Sequence, residues 1–124
     1  MNPKFIPGNN IAMKVPAHEY HDTIAFYRDV LGFRQLPEQA PSSTESVRFD
    51  FGGKVLWIDK VDSLSQAEIW MEVATRNPAG AAQYLQERGC VRRDGIEALP
   101  DGFNGFWISS PANIIHLVTQ GDAT

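Results

Sequence analysis

The feature that most constrains this chain is that its second half repeats the first. Asn10-Ile-Ala-Met-Lys-Val15 falls on Glu68-Ile-Trp-Met-Glu-Val73, an offset of about 58 residues. Gly32 falls on Gly89 one residue out of step, Phe49 and Phe51 fall on Phe106 and Ile108, and Val55-Leu-Trp-Ile58 falls on Ile114-Ile-His-Leu117 after a longer turn. Units of about 60 residues, roughly 8–62 and 66–120, are too short for each to close its own core, so the chain 1–124 is expected to fold as a single domain.

Hydrophobic period supplies the elements of each unit. Asn10 to Val15 reads as a strand ended by Pro16, which has no N–H for a ladder. A helix is expected from His21 or Asp22, with Ile24, Tyr27 and Leu31 at helical spacing and Gly32 as its stop. Pro37 to Thr44 reads as a loop. Ser46 to Phe51 alternates Val47, Phe49 and Phe51 with polar residues, and Gly52-Gly53 marks a tight hairpin into a return strand, Lys54 to Asp59. The order then recurs: a strand over Glu68 to Val73, a helix over Pro78 to Arg88 stopped by Gly89, a strand through Phe106 and Ile108, a Ser109-to-Asn113 turn and a final strand over Ile114 to Val118.

Composition narrows the function classes. With 15 Asp+Glu against 11 Lys+Arg the net charge is -4, so no basic surplus exists to neutralise phosphates, and nucleic acid is not an expected partner. The single cysteine, Cys90, makes no internal disulfide and no thiolate metal site, which suits a reducing compartment. No run approaches the roughly 20 apolar residues of a membrane span, and the N-terminus lacks the basic-then-apolar order of a signal peptide. The expectation is a soluble, cytoplasmic protein without a membrane partner.

Two segments carry a resemblance. Phe26-Tyr-Arg-Asp-Val-Leu-Gly-Phe33, after a Val-Pro strand end, resembles the helix signature of the vicinal oxygen chelate superfamily, the glyoxalase/bleomycin resistance/dioxygenase proteins. Ser109-Ser-Pro-Ala-Asn-Ile-Ile-His-Leu-Val118 is similar to that family's closing hairpin. The resemblance implies an α+β fold of two βαβββ repeats whose mixed sheet curls into a cup, and a homodimer. It also implies, for the metal-dependent members, an ion held by one residue from the first and one from the last strand of each unit. Those positions are Asn10, Trp57, Glu68 and His116. An indole only donates, so a divalent ion (Mn, Fe, Ni or Zn) would rely on Glu68, His116 and either Asn10 or Asp59. Without a metal, Glu68 and His116 would serve as a general base and its orienter, provided they come within hydrogen-bond reach.

Strand alternation adds a reading of its own. If Ile69, Met71 and Val73 face the helices, then Glu68, Trp70 and Glu72 face the cup, and the same rule turns Arg48, Asp50, Trp57, Asp59, Trp107 and His116 inward. All three tryptophans then share one acidic concavity, the pattern of a binder for a basic or aromatic small molecule. Three functions stay open: such a binder, using Trp57, Trp70, Trp107, Glu72, Asp59 and Arg48; a metal-dependent lyase, isomerase or dioxygenase; and a non-catalytic dimeric scaffold.

Overall fold

The computed structural model describes residues 2–39 and 44–121. Residues 40–43, inside the expected Pro37-to-Thr44 loop, lie outside them. The fold is α+β with mixed strand pairing, and it divides into two compact units: Asn9–Trp70, and Met71–Thr124 together with Met1–Gly8.

In the Asn9–Trp70 unit, β2 (Asn10–Pro16) lies parallel to β4 (Val55–Val61), β3 (Ser46–Asp50) runs antiparallel along the other side of β4, and the start of β5 (Glu68–Thr75) pairs antiparallel with β2. The β3–β4 hairpin turns on Gly52 and Gly53, both at positive φ (64° and 86°), with Phe51 and Lys54 exchanging backbone hydrogen bonds across it. Two successive left-handed residues are what a two-residue turn of matching twist requires, and glycine adopts them without a Cβ penalty.

The first helical stretch starts earlier than capping logic suggests. A 3-10 turn over Ala17–Glu19 leads into α1 (Tyr20–Ala25), so Asp22 lies inside the first turn and no side chain caps the N-terminus. A π-turn over Phe26–Val30 follows, in which the Leu31 amide reaches back to the Phe26 carbonyl. Gly32, at φ 72°, ends it as expected. One side of this stretch closes the unit's core: Tyr20 and Ile24 pack on Val15, Phe49, Leu56 and Ile58, with Tyr27 and Phe33 beside them. Phe49 and Ile58 have no exposed surface, and burial of this kind contributes about 1.5–3 kcal/mol per side chain.

The other unit repeats the plan. The end of β5 is parallel to β8 (Ile115–Gln120), which is antiparallel to β7 (Gly105–Ser109); the short β6 (Val91–Arg92) flanks β7, and an unforeseen β1 (Ile6–Pro7) lies antiparallel to β5. Met71 sits opposite His116 with the same sequence separation that sets Asn10 opposite Val55. Helix α2 (Pro78–Glu87) has proline in its first turn, is capped by the Asn77 side chain on the Gly80 amide, and is stopped by Gly89 at φ 79°. Its Ala81 packs on Phe106, Ile108 and Val118. The burial expected of Ile69 and Met71 is not found, since they are 39% and 38% exposed. Within its unit Ile69 lies on the outermost paired strand, opposite Met13.

Candidate functional site

Opposite the core, the Asn9–Trp70 unit presents a face made of aligned cross-strand rows. Residues directly paired in a sheet share a face, so the register fixes each row. One row runs Arg48, Trp57, Ala12, Trp70 across β3, β4, β2 and β5. The adjacent row runs Ser46, Asp59, Lys14, Glu68. Alternation therefore places Arg48, Trp57, Asp59, Glu68 and Trp70 together on the non-core face.

Hydrogen bonds hold these side chains in place. The Trp57 indole donates to Asn10 Oδ1 at 2.7 Å, and the Trp70 indole donates to Glu68 Oε1 at 3.2 Å. Lys14 Nζ pairs with Asp59 Oδ2 at 2.7 Å, both side chains being almost fully buried, and its ammonium also lies 4.3 Å from the centre of the Trp70 ring. Ser46 Oγ hydrogen-bonds the other Asp59 oxygen. The Arg48 guanidinium sits 5.4 Å from the Trp57 ring centre and donates to the Pro37 carbonyl at 2.7 Å. The expected acidity is thus answered locally: Asp59 belongs to Lys14, and Asp50 to Arg34 at 3.1 Å. On the core side, burial chiefly, with Glu45 and Asp59 adding to it, pushes the Tyr20 hydroxyl up to about 12.

The corresponding face of the other unit is differently made. Its row is Trp107, Leu117, Glu72. Trp107 is 6% exposed and its indole donates to the Glu97 carbonyl at 3.0 Å. Glu72 lies along β1, its carbonyl accepting from the Gly8 amide and its side chain filling the space a Cβ on residue 8 would need. His116 is not on this face. It pairs with Ile108, and so lies on the side that carries Phe106, Ile108 and Val118 to α2, with Nδ1 3.0 Å from the Ile114 carbonyl. The reason is register. The turn Ser110–Ile114, with Asn113 at φ 62°, lets Leu117 rather than His116 meet Trp107, and a one-residue slip exchanges the faces of a strand.

These positions do not fit the metal that the resemblance implies. Asn10 Oδ1 is taken by an indole N–H, Asp59 by an ammonium and a hydroxyl, and His116 lies on the helix side of its strand. Among the described residues no three His, Cys, Asp or Glu stand where they could hold an ion, and no buried side-chain nitrogen or oxygen lacks a hydrogen-bond partner. Sequence reasoning missed Lys14 and Ala12, which lie between the predicted residues in the two rows. The signal was present in the alternation of β2, whose inward positions Asn10, Ala12 and Lys14 oppose the core residues Ile11, Met13 and Val15.

No protein-family model matches the chain, and no curated protein matches it. Solved structures do. A hypothetical protein from Bacillus halodurans is similar over 97% of this chain and 96% of its own, at 14% identity and a TM-score of 0.67. Homoprotocatechuate 2,3-dioxygenase from Brevibacterium fuscum is similar over 98% of this chain at 20% identity and a TM-score of 0.61, and the enzyme from Arthrobacter globiformis over 95% at 19% and 0.60. The fold is of the glyoxalase/dioxygenase kind. At these identities the likeness concerns the fold alone, and this chain spans 34% and 37% of the length of the two dioxygenases. Among the described residues no helix is long and apolar enough to cross a membrane.

Proposed function

We propose that the chain is a member of the vicinal oxygen chelate superfamily that binds a small planar, aromatic molecule on the non-core face of its Asn9–Trp70 unit, without using a metal there. One observation carries this reading: Ala12 stands directly between Trp57 and Trp70 in a single register row. Two strand spacings separate the tryptophan backbones by roughly 10 Å, and an aromatic ring sandwiched by contacts of about 3.5–4 Å needs roughly 7–8 Å. Ala12 contributes only a methyl between the two rings, and the half-exposed Trp57 beside it has its indole N–H already committed to Asn10.

Of the basic and the aromatic ligand expected from the sequence, the aromatic one keeps its support. The places where a ligand's cation would sit on the tryptophans are held by the protein's own Lys14 and Arg48. A homodimer and a cytoplasmic setting remain part of the proposal as the resemblance and the lone cysteine imply them.

The test is binding of naphthalene-2-carboxylate by isothermal titration calorimetry to the wild type and to Ala12→Leu. A leucine placed between the indoles fills the space, so binding should fall by roughly tenfold or more while the circular dichroism spectrum is unchanged. Equal affinity for the two proteins contradicts the reading.

A further inference from the structure

Arg48 ends the aromatic row on β3, half-buried, directly opposite Trp57. Its surroundings differ from those of five other basic side chains in the structure. Lys14, Arg28, Arg34, Lys60 and Arg92 each pair with an Asp or Glu. Arg48 instead has one neutral acceptor, the Pro37 carbonyl on Nη2, and the face of an indole. A guanidinium carries five N–H donors in a planar fork, so a half-buried one with a single neutral acceptor keeps donor capacity for a planar anion.

The carboxylates along the strand rows are engaged elsewhere. The two carboxylates nearest along the strand rows, Asp50 and Asp59, are neutralised by Arg34 and Lys14. Glu68 lies at the far end of the row system, on β5, and accepts from the Trp70 indole. An anion beside Arg48 therefore meets a cation whose neighbours along the strand rows, Asp50 and Asp59, are already answered, next to a ring surface held by the Trp57–Asn10 hydrogen bond.

Resting on the binding reading above, we infer that this row selects aromatic molecules that carry a carboxylate: the ring lies over Ala12 against Trp57, and the carboxylate takes the unused N–H donors of Arg48. This reverses the ligand charge that the acidic composition suggests. It also gives the site a polarity, aromatic toward β2 and anionic toward β3. Charge-assisted, bidentate contact is among the stronger hydrogen-bonding arrangements available to a protein, and it discriminates against neutral isosteres because they cannot answer both donors.

The experiment compares three probes of equal ring size by calorimetry: naphthalene-2-carboxylate, naphthalene-2-carboxamide and 2-(aminomethyl)naphthalene. In the wild type the carboxylate should bind roughly tenfold or more tighter than the carboxamide, with the amine weakest. In Arg48→Gln that preference should collapse to about onefold through loss of carboxylate affinity, and Arg48→Lys, which keeps charge but not the fork, should recover only part of it. Equal affinities for carboxylate and carboxamide in the wild type would overturn the charge inference while leaving aromatic binding standing. So would a preference that survives in Arg48→Gln. Failure of all three probes to bind would remove both.

Discussion

The two units place the same strands in the same parallel register and build opposite surfaces on them. Where the Asn9–Trp70 unit sets Trp57 beside Ala12, the other sets Leu117 beside Glu72; where the first pairs Lys14 with Asp59, the second pairs Ala74 with Thr119. In the second unit the Trp107 N–H goes to a backbone carbonyl, and Glu72 is laid against β1. The comparison separates scaffold from site. The backbone pairing recurs, while the row that sets a small residue between two tryptophans, beside a buried ion pair, is found in only one of the two units.

The largest effect expected from this contrast concerns the charged pair. Removing one partner of a buried ion pair leaves the other charge uncompensated, so Lys14→Ala should lower unfolding stability by about 3–5 kcal/mol. Thr119→Ala, at the equivalent place of the other unit, should cost about 1 kcal/mol, because only a hydroxyl and a methyl are lost and no charge is left unpaired. The double variant Lys14→Ala/Asp59→Thr, which copies the second unit's pair into the first, should recover part of the single-site loss. Urea unfolding of the four proteins checks this, and equal losses at Lys14 and Thr119 would erase the distinction between the units.

A smaller effect is expected at alkaline pH, again from the first unit. The native state holds the Tyr20 proton up to about pH 12, whereas in an unfolded chain it leaves near 10.0. The folded value is raised, so the stabilisation is complete below the unfolded value and is lost as pH rises through the folded one. Thermal unfolding followed between those values should show a decline that Tyr20→Phe makes shallower. An identical slope in both proteins would mean that Tyr20 does not titrate with folding.

Much of this architecture is legible in the residues. Glycines that must adopt positive φ, at Gly32, Gly89 and the Gly52-Gly53 turn, announce the element ends, and period-two alternation assigns Trp57, Trp70 and Asp59 to the face opposite the core, where the registers place them. What alternation cannot reveal is pairing between distant strands. Lys14 looks like an ordinary solvated lysine until β2 is laid beside β4, which brings Asp59 opposite it from 45 residues away. Ala12 acquires meaning only as the residue between two tryptophans. His116 was assigned to the wrong face because the repeat overlay sets it on Trp57, whereas the register across the Asn113 turn pairs Leu117 with Trp107 and His116 with Ile108. The start of the first helical stretch was obscured for a local reason: its first turn is a 3-10 segment without a capping side chain.

The central claim is that binding belongs to one tryptophan row and not to the protein's tryptophans in general. The three indole N–H groups each give one resonance in a proton–nitrogen correlation spectrum, assignable by single substitution. Titration with naphthalene-2-carboxylate should move the Trp57 resonance most and Trp70 less, leaving Trp107 in place. A shift confined to Trp107, or movement of all three alike, would contradict the account.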